Sequence, residues 1–165
     1  MKAVVVYESL WGNTAAVARA IAEGIGPDVP ALSTADATPD VLAGVDLLVA
    51  GSPVLAFRLP TERIRSGIAS DPGPAPAPPD LSHPPMRTWL KDLPHGNGHG
   101  AAFDTEVKGP FGRAAPAISK ALERAGYRPI AEPRGFIVTG KYGPLRDGEL
   151  EEAHRWGGEL ARSAR

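Results

Sequence analysis

The sequence predicts an α/β protein with a doubly wound parallel sheet and helices on both faces. Three observations carry this. Ala3 to Tyr7 is a near-continuous apolar run, the pattern of a central parallel strand covered on both sides. A helical pattern follows at once, with Val17, Ile21 and Ile25 on one face. The same strand-then-helix alternation recurs along the chain, giving five strands in all.

The elements read in order as follows. The first helix stops at Gly26-Pro27. Val29 to Ser33 is a weak second strand. Pro30 cannot donate to a ladder, so this strand belongs at a sheet edge. Pro39 to Ala43 is a short helical segment, and Val45 to Ala50 a strong third strand that ends at Gly51-Ser52-Pro53. Thr61 caps a helix with Ile64 and Ile68 inward. Met86 to Leu93 is helical, with Trp89, Leu90 and Leu93 inward. Ala101 to Asp104 is a short fourth strand. Pro116 opens a helix carrying Ile118 and Leu122, which Gly126 ends. Phe136 to Thr139 is the fifth strand, and Leu150, Ala153, Gly157 and Leu160 form the inner face of the last helix. Gly157-Gly158 weakens that helix unless close packing on the sheet compensates.

Ser70 to Pro85 breaks the pattern. It holds seven prolines and almost nothing large and apolar. It reads as an extended, polyproline-like insertion on the surface of a single domain spanning residues 1–165, tolerated rather than structural.

Composition bounds the function. Net charge is −1, which leaves no footprint for nucleic acid. The absence of cysteine excludes disulfides, thiolate metal sites and thiol redox chemistry. No apolar run reaches the length of a membrane span, and the chain enters a strand without a signal-peptide pattern, so a soluble cytoplasmic protein is expected. His95 and His99 lack a nearby carboxylate and make a poor metal pair. No Ser-His-Asp set, paired carboxylates or general base stands out as catalytic.

In doubly wound sheets ligands sit beyond the carboxyl ends of the strands. That geometry nominates three loops. The first, Ser9-Leu10-Trp11-Gly12-Asn13-Thr14, is a turn of hydroxyl, amide and glycine residues opening a helix. Its N–H groups, helix dipole and side-chain donors aim at one spot, as a phosphate site requires. It lacks the three glycines of a dinucleotide fingerprint and the lysine of a Walker loop, so a phosphomonoester held by Ser9, Asn13 and Thr14 fits best. Capping alone explains one hydroxyl and not the whole run. The second loop runs from Ser52 to Pro60 and the third from Phe103 to Arg113.

The wording Tyr-x-Ser-x-Trp-Gly-Asn-Thr, at Tyr7 to Thr14, resembles the phosphate loop of flavodoxins, and most closely that of flavodiiron proteins and small flavodoxin-family proteins. The resemblance covers most of the chain outside the proline-rich stretch. It implies the strand order 2-1-3-4-5 and FMN as cofactor. It places Ser52, Pro53, Val54, Leu55, Ala56 and Phe57 in the loop that contacts the flavin ring, and Phe103, Asp104 and Thr105 in the other flavin loop. Trp11, Phe57 and Phe111 become stacking candidates, with Phe103 a weaker one, and Asp104 either an acceptor for the ribityl chain or a turn cap. The segment from Gly135 to Leu150 resembles a closing pattern of small flavodoxin-like proteins and reads as structural. An electron carrier with redox partner proteins is implied. A small FMN-dependent reductase of quinone or porphyrinogen type, and a cofactor-free binding module of the same fold, are the alternatives. The second loop has neither glycine nor asparagine between Gly51 and Gly67, so a left-handed backbone there costs roughly 1–2 kcal/mol per residue.

Overall fold

A computed structural model describes all residues from Met1 to Arg165. The sheet is built from β1 (Ala3–Tyr7), β2 (Ala31–Ser33), β3 (Leu47–Pro53), β4 (His99–Val107), β5 (Arg128–Pro129) and β6 (Arg134–Val138). All pairings are parallel, and the order is β2-β1-β3-β4-β5, with β6 also on β4. The expected order holds. The expected fifth strand is β6, beside Phe103 to Val107, and a further two-residue segment, β5, precedes it on the same edge of β4 beside His99 and Gly100.

The helices are α1 (Asn13–Ile25), α2 (Pro39–Leu42), α3 (Glu62–Ser70), α4 (Met86–Lys91), α5 (Ala115–Arg124) and α6 (Glu149–Ala164). None is long and apolar enough to cross a membrane. Strand alternation divides the sheet's side chains into two cores. Val5, Leu47, Val49 and Phe103 meet α1 and α6 on one face. Val4, Val6, Leu48 and Ala102 meet α4 and α5 on the other, around Met86, Trp89, Ile118 and Leu122. Each large apolar side chain buried this way contributes roughly 1.5–3 kcal/mol.

α1 and α6 cross closely, and small residues allow it. A Cβ on Gly24 would strike the His154 carbonyl, and one on Gly157 the Ile21 carbonyl. Gly157 is therefore compensated by helix–helix packing, not by packing on the sheet. The inner face of α6 also differs from expectation. Leu150 is exposed, and Trp156 is the buried aromatic, against Phe136. Glu149, one residue before Leu150, is turned inward to accept from the Ile137 N–H at 2.8 Å, which rotates Leu150 toward solvent.

The proline-rich stretch is not an appendage. It runs as a strap across the first loop and is fastened along its length. Trp11 Nε1 donates to the Ala77 carbonyl and the Asp80 N–H to the Leu10 carbonyl. The Ser9 N–H donates to His83 Nε2, and the Tyr142 hydroxyl to the Pro72 carbonyl. Proline has no N–H to offer, so the strap contributes mainly carbonyls and is held by donors from the loops it crosses.

Candidate functional site

The site lies at the carboxyl end of the sheet, where β1 and β3 diverge into their loops. Gly12 takes φ 92°, the left-handed conformation that glycine adopts without cost, and this swings the chain from the strand end into α1. Ser9 is buried, and its Oγ accepts from the N–H groups of Gly12 and Ala15, each at 3.2 Å. One side chain thus braces the loop and caps the third residue of the helix. The N–H groups of Leu10, Trp11, Asn13 and Thr14 have no partner within the chain. They form, with the positive end of the helix dipole, a cluster of unused donors.

A small crevice opens beside them, of about 30 Å3, lined by Ser9, Trp11, Asn13, Thr14, Leu55 and Thr105 among others. Thr14 Oγ1 and Thr105 Oγ1 share a hydrogen bond of 2.8 Å at its base. Asn13 donates to the Tyr142 carbonyl at 3.0 Å, and the Tyr142 ring meets Trp11 edge-on with centroids 4.7 Å apart. Lys141 also lines the crevice. The larger grooves on the molecule lie elsewhere, and the one of about 390 Å3 between α4 and α5 is edged by Arg87, Lys91 and Arg124.

The second loop begins at Pro53, Val54 and Leu55, which line the same crevice. Leu55 and Arg58 then exchange both backbone hydrogen bonds, at 3.0 and 3.1 Å, around Ala56 and Phe57. Both central residues are left-handed, with φ 47° and 69°. This is a tight hairpin turn of the type that favours Asn-Gly, here built without either residue. The left-handed cost anticipated from the sequence is therefore already borne by this protein. Phe57 stands exposed at the tip, and Phe111 is exposed on the third loop. The two loops touch at Gly112, where a Cβ would strike the Phe57 backbone.

The third-loop expectations divide. Thr105 reaches the crevice. Phe103 does not: it is fully buried against Phe136, under Gly51, where a Cβ would collide with its ring. Asp104 points to the opposite face of the sheet. Its Oδ2 accepts from the N–H groups of Ala114 and Ala115, each at 2.9 Å, and from Arg113 Nε at 3.2 Å. Its Oδ2 therefore caps α5 across a strand-to-helix gap, and no local Asx turn forms. Ser52 is likewise buried, its hydroxyl donating to the Pro53 carbonyl and not lining the crevice. The expected boundary of β4 was too early. Pairing with β3 and β6 carries the strand beyond Asp104 to Val107, so Thr105 to Val107 are strand residues too and the loop starts at Lys108.

Sequence reasoning missed Lys141 and Tyr142, which it placed in a purely structural segment. The signal was available: Gly140 to Pro144 follows the last strand and must emerge at the same sheet edge as the first loop.

Two carboxyl groups near the site are strongly perturbed. Glu8, wholly buried just before Ser9, accepts from the Met86 N–H at 2.9 Å and lies 3.7 Å from Arg65 Nε. Burial outweighs these partners and pushes its pKa up to about 7. Glu106 is held above the usual carboxylate range by burial and by Asp104 beside it, against the pull of Arg113.

The crevice's donor set suits a phosphomonoester: unused helix-end N–H groups, two hydroxyls and one lysine. A ring system does not fit inside so small a volume and would lie at its mouth, toward Trp11, Leu55 and the Ala56-Phe57 turn.

Neither a protein-family model nor a curated protein matches the chain. Solved structures do. The chain is similar to a flavodoxin from the domain Archaea, at 24% identity over 99% of both chains with a TM-score of 0.67. It is similar to flavodoxin 2 from Bacillus cereus, at 15% identity over 98% of this chain and 99% of that one, with a TM-score of 0.67. It also matches the Flv1 flavodiiron core from Synechocystis sp. PCC6803, at 18% identity and a TM-score of 0.62, covering 99% of this chain and 36% of that larger one. The chain has the flavodoxin fold.

Proposed function

We propose that the crevice binds FMN by its phosphate and that the protein is a flavodoxin-like electron carrier serving redox partner proteins. The observation that carries this reading is the cluster of unused N–H groups at Leu10, Trp11, Asn13 and Thr14, backed by the paired hydroxyls of Thr14 and Thr105. A helix end so furnished favours a dianion. The flavodoxins of the same fold support FMN as its bearer.

In this reading FMN, when bound, supplies the electron-transfer chemistry. The residues of this chain hold it. The loop N–H groups and Thr14 donate to the phosphate, and Lys141 adds a positive charge at the crevice. Trp11, kept edge-on to Tyr142, and the Leu55–Arg58 turn border the mouth where a planar ring would rest. Asp104 and Arg113 fix the start of α5 and hence the third loop, which carries Phe111. The exposed Phe57 and Phe111 mark that edge as the one a partner would meet.

Titrating the purified protein with FMN while recording the visible spectrum tests the reading. Saturable change in the flavin bands is expected. A spectrum that FMN leaves unaltered overturns it, and FAD as the main species released by heating overturns the choice of cofactor.

A further inference from the structure

We propose that His83, carried on the proline-rich strap, is a positioning residue for the phosphate-binding loop, and that protonating its imidazole releases the loop. This rests on the reading of the crevice as a phosphate site.

The geometry is specific. The Ser9 N–H is the buried donor that opens the loop, and its acceptor is His83 Nε2 at 3.0 Å. A ring nitrogen that accepts carries no proton, so His83 is neutral here with its proton on Nδ1. Nδ1 faces Asp80 Oδ1 at 3.8 Å, toward the surface. The strap meets the next two residues as well: the Asp80 N–H donates to the Leu10 carbonyl at 2.8 Å, and the Trp11 indole to the Ala77 carbonyl at 3.2 Å. Three consecutive residues of the loop are thus held from outside, and the unused N–H groups come from this stretch and the two residues after Gly12. The strap sets where those donors point.

A protonated imidazole cannot accept. Nε2–H would then oppose the Ser9 N–H, donor against donor, and the buried amide would lose its acceptor. The charged ring would instead be drawn toward Asp80, whose side chain is mostly exposed. The surrounding charges have definite signs. Asp80 favours protonation. Arg65, from α3, donates to the His83 carbonyl at 2.8 Å and disfavours it. Glu8, on the strand end, offsets Arg65 only while ionised, and Glu62 and Arg87 bear on Glu8 with opposite signs. The first loop itself carries no charged side chain. Burial of the ring, the largest effect, holds His83 below the ordinary histidine range, so the loop is fastened at neutral pH and released in mild acid.

The experiment has two arms. In the protein without flavin, NMR from about pH 8 to about pH 5 follows the His83 ring nitrogens and the Ser9 amide. An unprotonated Nε2 at the upper end is expected, with the Ser9 amide titrating at the His83 midpoint. A Ser9 amide indifferent to His83, or a neutral ring protonated at Nε2, overturns the proposal. In the second arm, FMN and riboflavin dissociation constants are measured for the parent and for His83→Gln, whose carbonyl keeps an acceptor but does not titrate. The FMN phosphate itself titrates near pH 6, equally for both proteins, so their ratio is the readout. The parent-to-variant ratio for FMN should grow about fivefold or more toward acid, and the ratio for riboflavin should stay level. A constant FMN ratio overturns the proposal. If FMN leaves both spectra unchanged, the cofactor reading falls, while the Ser9 amide still decides whether His83 governs the loop.

Discussion

Thr14, at the start of α1, and Thr105, near the end of β4, join hydroxyls at 2.8 Å across the base of the crevice. One of the two donates to the other, so only one hydroxyl proton is left over for a ligand. Thr14→Val should then weaken FMN binding by about 1–3 kcal/mol, the usual cost of leaving a charged acceptor unpaired. Riboflavin, which has no phosphate, should bind parent and variant alike. Isothermal titration with the two flavins separates the outcomes. If both weaken equally, Thr14 acts through the fold alone.

The Ala56-Phe57 turn holds two left-handed residues that carry a Cβ. Replacing them with Asn and Gly keeps the backbone and removes most of the strain. The double variant should gain about 1–2 kcal/mol in urea denaturation, because Phe57 is exposed and little burial is lost. A loss of stability would mean that the Phe57 side chain contributes more than its exposure suggests.

Glu8 and His83 give stability opposite dependences on pH. Glu8 has its native pKa raised from 4.5 to about 7, so the native state keeps a proton that the unfolded chain releases. Its contribution is full below pH 4.5 and lost as pH rises toward about 7. His83 is lowered from 6.5, so the unfolded chain takes up its proton first and stability falls as pH drops below 6.5. Glu8→Gln should therefore make the decline between about pH 5 and about pH 7 shallower, the remainder belonging to Glu106, whose raised pKa acts in the same sense. Its absolute stability is not diagnostic, because Arg65 loses a partner. Urea midpoints across pH give the slope, and parallel slopes for parent and variant would refute the assignment.

The crossing of α1 and α6 predicts a contrast among glycines. Gly24→Ala and Gly157→Ala force a methyl into the facing backbone and should each cost about 1–3 kcal/mol or more. Gly67, exposed in α3 with open space where a Cβ would go, should instead gain about 0.5–1 kcal/mol as alanine. Thermal melts of the three variants suffice. Similar behaviour at all three positions would contradict the close crossing.

The first strand, its loop and the helix after it were legible because they rest on local patterns, whereas the sheet order came from the family resemblance. An apolar run, a turn and a helical period sit next to one another between Ala3 and Ile25. The third loop was misplaced because strand length depends on neighbours: β4 is extended by β3 and β6, which its own residues do not reveal. Leu150 faces solvent and Trp156 the core because Glu149, bound to the Ile137 N–H, sets the rotation of α6. The strap shows the same limit. Its prolines announce an extended chain, yet the donors that hold it come from Ser9, Trp11 and Tyr142, remote in sequence. Local composition reports conformation and not company.

The rim of the sheet bears on how this protein behaves in concentrated solution. One margin is β2, only three residues long and preceded by Pro30. At the other, β5 is two residues ending in Pro129, and on β6 the outward groups of Ile137 are already taken. The Ile137 N–H binds Glu149, and its carbonyl accepts from the Arg146 N–H at 2.8 Å. A strand from a second molecule finds few free positions on either margin, which disfavours edge-to-edge aggregation. With a net charge of −1, mutual repulsion offers little protection, and resistance to association falls instead on these closed margins.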